Sequence, residues 1–262
     1  MTETRPPLSA YIRTLNEERM IADVVRAALQ VADEVVVVDS GSTDRTIALA
    51  QAAGARVIEQ PWLGNGKQKR VAEDACRHDW LLDLDADELV TEDLAEEIAS
   101  LFKGGAPTHA VYAVNLALVP PVGEPWRGFA LQKRNKLYNR TAVRQPDHEA
   151  WDQFDIPESV SAGRLKAPIL HYSFTGVAGF LDKLNKHSSV RAEKLALKPG
   201  SVLALRILFG LPFYFAKKYI LQQYVRGGVY GFALAMMSAQ GRWLKDVKMW
   251  ERLKRERGKS DG

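Results

Sequence analysis

In the first hundred residues, short apolar runs alternate with segments whose apolar positions recur every three or four residues. "LSAYI" (8–12) predicts a short strand. From Asn16, placed as an N-cap, Ile21, Val24, Val25 and Ala28 recur at helical spacing. "EVVVVD" (34–39) is a continuous β-branched run, as in a parallel strand covered on both faces. "STDRTIALAQAAG" (42–54) predicts a helix that starts at Ser42 or Thr43 and stops at Gly54. "ARVIEQ" reads as a strand, "KQKRVAEDACRHD" (67–79) as a helix, "WLLDLD" as a strand, and Thr91 caps "EDLAEEIASLFK". Strands separated by helices of about a dozen residues indicate right-handed βαβ units and a parallel sheet.

Beyond residue 104 the pattern changes. "HAVYAVNLALV" (109–119), "NKLYNR" (135–140) and "LKAPILHYSF" (165–174) read as strands joined by Pro/Gly-rich loops. From about 178 onward the chain is helical in pattern, beginning with "GFLDKLNKHSSVRAEKLAL" and closing with "RWLKDVKMWERLKRERGK". The most apolar stretch, "ILFGLPFYFA" (207–216), is half of the roughly 20 residues a spanning helix needs, and Arg206, Pro212 and Lys217–Lys218 bound or interrupt it. This argues against a span and allows an interfacial position. The N-terminus lacks a basic start followed by an apolar stretch, so no signal peptide is expected.

Charge adds an asymmetry that the pattern does not contain. The net charge is +4, but residues 1–180 carry −7 and residues 181–262 carry +11. An acidic body with a basic tail calls for an anionic partner of the tail. In the tail, aromatic and aliphatic residues are interleaved with Arg206, Lys217, Lys218, Arg226, Lys245 and Lys248, which fits an anionic membrane surface. No nucleic-acid-binding motif is present, so nucleic acid is not the expected partner. The single cysteine, Cys76, rules out an intrachain disulfide and a cysteine-based zinc site.

In an open parallel sheet, ligands bind beyond the carboxyl ends of the strands. Here the two strongest parallel strands end in acids, at Asp39 and at Asp85 and Asp87. "WLLDLDADE" (80–88) crowds Asp83, Asp85, Asp87 and Glu88 after an apolar run, so something positive has to sit there. A D-x-D pair can divide the work, one carboxylate on a sugar and one on a divalent cation bridging phosphates. Hard oxygen ligands suit Mg²⁺ or Mn²⁺. Asp-rich loops after strands are also commonly solvated turns, and it is the company of "VVVVDSGSTD" that gives this one weight. "GNGKQK" (64–69) is neither a Walker loop nor G-x-G-x-x-G. It places Lys67, Gln68, Lys69 and Arg70 at a helix start, where free amides would favour an anion.

"TLNEE", "VVVVDSGSTDRT", "GNGKQK" and "LDLDADE", in this order and spacing, resemble the family 2 inverting glycosyltransferases of the GT-A fold, and more narrowly the lipopolysaccharide-core glucosyltransferase branch. "KLYNR", "DHE" (like the branch's "VHE") and "ILHYSF" match it further. The resemblance implies an α/β, Rossmann-like, mostly parallel sheet flanked by helices. It implies a catalytic domain over 1–177, with a nucleotide-sugar half at about 8–104 and an acceptor half at about 105–177, and a basic, amphipathic helical region over 178–262. It implies a nucleotide pocket lined by Thr14, Asn16 and Glu17, with Asp39 on uracil or ribose and Ser40 and Ser42 beside it. Lys69 would stand near the nucleotide, Asp85 would face ribose or donor sugar, and Asp87 would bind the divalent metal, Mn²⁺ or Mg²⁺. His171 would complete the metal site, although a lone His after an apolar strand is more often structural. Arg70 stands where the family often has Asn.

An inverting transfer needs a base for the acceptor hydroxyl, and "PDHEAWD" (146–152) offers Asp147, Glu149 and Asp152. The match to "VHE" favours Glu149, with Asp147 second; these acids could equally cap a turn or pair with Arg144. The activity implied is transfer of a hexose, glucose from UDP-glucose, onto a lipopolysaccharide-core or related lipid-linked acceptor by an enzyme peripheral on the cytoplasmic face of the membrane. A capsule or exopolysaccharide transferase is the near alternative. A sugar nucleotidyltransferase would carry a Gly-rich, basic loop where this chain has "RTLNEE". A non-catalytic sugar-nucleotide or membrane-binding module is the remaining class.

Overall fold

The computed structural model describes residues 5–149 and 151–260. Two compact units result, one formed by the residues up to Val119 together with Gln132–Ser173, the other by Pro120–Leu131 and the residues from Phe174 onward.

The first unit holds a single eight-stranded sheet. Its strands are β1 (Leu8–Thr14), β2 (Glu34–Asp39), β3 (Arg56–Glu59), β4 (Trp80–Asp85), β5 (Glu88–Val90), β6 (Val111–Leu118), β7 (Gln132–Asn139) and β8 (Ala162–His171). Helices α1 (Ile21–Leu29), α2 (Thr46–Ala52), α3 (Asn65–Ala75) and α4 (Glu92–Leu101) connect them. The order across the sheet is β3-β2-β1-β4-β7-β6-β8-β5. Strands β3, β2, β1 and β4 are parallel, as the strand–helix alternation predicts; beyond β4 the sheet is mixed, with β7 antiparallel to both β4 and β6. The chain winds outward from β1 to β2 and β3, then returns to place β4 on the other flank of β1. The connections therefore diverge between β1 and β4, which is the switch point where open α/β sheets bind ligands.

Period-two alternation explains why these strands read as unbroken apolar runs. Ala10, Ile12, Val35, Val37, Leu82 and Leu84 join the core under α1 and α4. Their neighbours Tyr11, Val36, Val38 and Leu81 pack with Ala72 and Cys76 of α3. Both faces are covered, so each is mostly apolar. Cys76 is buried, and burial, with Glu34 nearby, pushes its thiol up to about 12.

Three local expectations are corrected. Asn16 is not an N-cap: it sits in the left-handed region at φ +52° in a loop, and α1 begins at Ile21. Likewise α2 begins at Thr46 rather than at Ser42 or Thr43, because the Asp44 carboxylate accepts from the Thr46 amide and holds "SGSTD" as a loop. The acid tail of "WLLDLDADE" contains a turn at Ala86–Asp87 and a further strand, β5, that pairs with β8.

The second unit is built on α5 (Val177–Lys194), α6 (Gly200–Ala216) and α7 (Gly228–Ser260). The Trp243 indole donates to the Ile207 carbonyl at 2.9 Å, and Lys248 reaches Asn185 Oδ1 at 2.7 Å. Within the Pro/Gly-rich stretch Trp126 stacks on Phe129 and meets Tyr224 edge-on, and a Cβ at Gly227 would lie 2.5 Å from the Trp126 ring. The apolar stretch proves longer than the sequence reading allowed. Helix α6 continues through a π turn to Leu221 despite Pro212, giving 22 residues of mean hydropathy 1.3 with only 17% of its apolar window buried. By length and composition alone it could cross a membrane.

Candidate active site

The register of the sheet brings the strand ends level. Thr14 pairs with Asp39 across β1 and β2, and Arg13 pairs with Asp85 across β1 and β4. Thr14, Asp39 and Asp85 therefore emerge side by side at the switch point.

Asp39 is fully buried, and its carboxylate shapes the loop that follows. Oδ1 accepts from the amides of Gly41 (2.8 Å) and Ser42 (2.7 Å), and Oδ2 accepts from the Ser42 hydroxyl. The loop after β2 then interlocks with the loop after β1. The Asn16 amide donates to Ser42 Oγ at 2.8 Å, Asn16 Oδ1 accepts from the Thr43 amide at 2.8 Å, and the Glu17 amide donates to Thr46 Oγ1 at 2.8 Å. Ser40 is held from both sides, its amide on the Thr14 carbonyl and its hydroxyl accepting from Gln68 at 3.1 Å. Thr14 Oγ1 is buried and lacks a hydrogen-bond partner among the described residues. Thr14, Asn16, Glu17, Asp39, Ser40 and Ser42 thus form one rigid rim.

Much of the positive charge that the crowded acids require comes from the chain itself. Lys69, 1% exposed, lies 2.7 Å from the buried Asp83, 3.7 Å from Asp85 and 3.9 Å from Asp152. Arg13 donates to Asp85 at 2.7 Å and to Asp152 at 2.9 Å, tying the two acids together. Lys136 sits 2.6 Å from Glu88. Burial alone would raise the Asp85 carboxyl, but Lys69, then Arg13 and Lys136, outweigh it and hold the group well below the ordinary carboxylate range. Glu88 goes the other way: burial pushes it up, against the pull of Lys136 and with Asp85 adding to the rise. A polar chain continues beneath α3. Gln145 Nε2 donates to the Tyr11 hydroxyl at 2.7 Å, Tyr11 and Tyr138 share a hydrogen bond at 3.0 Å, and Tyr138 donates to Glu73 at 2.7 Å. Sequence reasoning missed Arg13, Lys136 and Gln145 as site-shaping residues. The available signal was a cation inside an apolar alternation, in "YIRT" and "NKLYN"; a buried cation has to be paired.

The start of α3 is not an open anion site. The Asn65 amide donates to the Glu149 carbonyl at 2.7 Å, the Gly66 and Lys67 amides donate to the His148 carbonyl, and the Gln68 amide donates to the Gly64 carbonyl. Both glycines of "GNG" follow from this docking. A Cβ at Gly64 would lie 2.5 Å from Glu149 Cα, and one at Gly66 would lie 2.5 Å from the Pro146 carbonyl. Gly66→Ala is therefore expected to push the 146–152 loop off the helix. The cost should be about 1–3 kcal/mol, measured by urea denaturation.

That loop carries the three acids considered as base. Asp152 faces Arg13 and Lys69, as above. Glu149 is 62% exposed, with Lys67 at 3.6 Å, and Asp147 is also exposed. The structure thus brings Asp152, rather than Asp147 or Glu149, into the ion-pair cluster. On the far side of Asp85, the β5–β8 register sets Glu88 opposite His171, and the Tyr172 amide donates to the Asp87 carbonyl at 2.8 Å. Asp87 Oδ2 and His171 Nε2 then lie 3.5 Å apart, both mostly buried. No group of three or more His, Cys, Asp or Glu arranged for a metal occurs among the described residues. A carboxylate and an imidazole side by side fit a divalent ion that takes its remaining ligands from phosphates and water, as Mg²⁺ commonly does, rather than an all-protein cage.

Beside the switch point, strands β2 and β4 on either side of β1 end in acids, Asp39 and Asp85, at the carboxyl edge of the sheet, where open α/β sheets bind ligands. The sequence profile of glycosyl transferase family 2 matches residues 9–156, and the chain belongs to that family. The mixed sheet flanked by helices agrees with its GT-A fold. The chain is 32% identical over 255 residues to an uncharacterized glycosyltransferase of Rickettsia felis, covering 94% of this chain and 90% of that one. It is 30% identical over 257 residues to the lipopolysaccharide core biosynthesis glycosyltransferase LpsC of Rhizobium meliloti, covering 94% and 93%. It also aligns with glucosyl-3-phosphoglycerate synthase of Mycobacterium tuberculosis, solved with Mg²⁺ and UDP. That match has 25% identity over 43% of this chain and 44% of the other; its TM-score of 0.34 gives it no weight for the pocket.

Proposed function

We propose that this family 2 glycosyltransferase is a metal-dependent inverting hexosyltransferase that moves glucose from UDP-glucose onto a lipopolysaccharide-core or related lipid-linked acceptor. The observation that carries the reading is the level row of strand ends at the switch point, with Asp39 and Asp85 on it and the Asp87–His171 pair beside it. The acceptor class is supported by the likeness to LpsC along nearly the whole chain.

In this reading Thr14, Asn16, Glu17, Asp39, Ser40 and Ser42 receive the uridine, and Asp85 takes the ribose or donor sugar. Lys69 holds Asp85 in its ionised form from below. Asp87 and His171 would hold the divalent ion, Mn²⁺ or Mg²⁺, which when bound would supply positive charge beside the diphosphate. Glu149 accepts the proton of the acceptor hydroxyl as its oxygen attacks the anomeric carbon; the bond to the diphosphate breaks on the opposite face, and its electron pair leaves with UDP. Asp152 is the poorer candidate because its carboxylate is already taken up by the Arg13 guanidinium at 2.9 Å and faces Lys69 at 3.9 Å. Asp147 is the second choice.

Glu149→Gln is expected to bind UDP as tightly as the parent and to lose about 10²–10⁴-fold in transfer, measured as product formed from UDP-glucose. The same loss in Asp147→Asn with a fully active Glu149→Gln would move the base to Asp147. The second unit is read as the membrane contact. Its basic helices, carrying an exposed apolar face, would hold the enzyme on the cytoplasmic face of the cell membrane next to a lipid-linked acceptor.

A further inference from the structure

Helix α6 turns its apolar stripe outward. Leu205, Phe209 and Phe213, spaced four residues apart and so aligned on one face, are 61%, 64% and 64% exposed. With Arg206, Lys217 and Arg242 they line an open cleft of about 530 Å³. Its floor is the ring of Tyr214, which lies across the helix because residue 210 is glycine; a Cβ there would come within 3.0 Å of the ring. The Arg206 and Arg242 guanidinium groups stand over that ring at 5.7 and 5.4 Å.

The charges around the cleft do not balance. The one acid beneath it, Asp246, is buried and already engaged: it accepts from the Tyr214 hydroxyl at 2.7 Å and from Arg206 at 3.1 Å, and Lys245 lies at 2.7 Å. Neither Lys217 nor Arg242 has an ion-pair partner among the described residues. Lys218, next in the chain, reports the same surplus. Burial, and then the like charge of Arg242, push its ammonium down to about 8. A cleft walled by exposed aromatic and aliphatic side chains, whose charged lining groups are all cationic, is complementary to an amphiphile with an anionic head.

We propose that this cleft binds the phosphate headgroup of an anionic membrane lipid, with Arg242, Lys217 and Arg206 on the phosphate and the acyl chains along Leu205, Phe209 and Phe213. The proposal rests on the membrane-contact reading given above and narrows it from diffuse attraction to one headgroup site.

The test is co-sedimentation of the full chain with vesicles of phosphatidylcholine alone and of phosphatidylcholine mixed with phosphatidylglycerol. Two double variants are compared: Lys217→Gln/Arg242→Gln in the cleft, and Lys186→Gln/Arg255→Gln, which removes two exposed cations elsewhere on α5 and α7. All four side chains are exposed, so both variants should keep the parent's melting temperature. A headgroup site predicts that the cleft variant loses about tenfold more affinity for the mixed vesicles than the other does. Equal losses would overturn the site while leaving a membrane contact made by overall charge. Failure of the parent chain to bind the mixed vesicles would remove the membrane reading itself, and the site with it.

Discussion

Asp87→Ala is expected to leave the fold intact and to lower transfer by about three powers of ten or more. Asp87 lies in the two-residue turn between β4 and β5, its mostly buried carboxylate 3.5 Å from His171, so its removal should cost about 1 kcal/mol of stability, which the fold tolerates. In the proposed reading it supplies the only carboxylate of a two-donor site, and His171 alone would hold a divalent ion poorly. A metal that neutralises a leaving diphosphate contributes several kcal/mol to the transition state, which is the origin of the factor. Initial rates with Mn²⁺ decide the point, set beside melting curves of parent and variant. A parent enzyme with full activity in EDTA would remove the metal role of Asp87 and His171 together.

Lys69→Met is expected to act on the fold instead. The ammonium is the near partner of Asp83, which is fully buried, and it also faces Asp85 and Asp152. Removing it leaves a buried carboxylate without its cation, a change that costs about 3–5 kcal/mol. Replacing both members, Lys69→Met with Asp83→Leu, should recover a large part of the loss, because a buried pair can be exchanged for apolar volume at little cost. Urea denaturation of the two variants measures both values. A single variant within about 0.5 kcal/mol of the parent would mean that the pair carries no structural weight.

These two residues illustrate what could be read from the chain alone. The βαβ series was legible because each strand is covered on both faces and each helix on one, so core packing writes its period directly into the residues. The acids Asp39, Asp85 and Asp87 were legible as strand-end residues for the same reason. Their counter-charges were not. Arg13 meets Asp85 only because β1 and β4 are neighbours in this register, and Lys69 reaches Asp83 only because α3 lies across that face; no local pattern records either fact. The Lys67–Arg70 stretch after "GNG" suggested an anion site at a helix start, whereas the amides there bond the His148 and Glu149 carbonyls and the glycines make room for that contact between segments some eighty residues apart. Asn16 looked like a helix cap because its side chain does cap a main-chain amide, but the amide is that of Thr43 in the next loop. In the second unit, Pro212 and the flanking cations suggested an apolar stretch too short to span a membrane, while the helix runs on to Leu221.

The most direct measurement is an isothermal titration of the purified protein with UDP, once with Mn²⁺ and once with EDTA, repeated on Asp85→Asn. UDP binding that requires the metal and is lost in Asp85→Asn is the predicted result. It would tie the nucleotide to the strand ends at the switch point. No UDP binding in either condition, or binding indifferent to both the metal and Asp85, would contradict it.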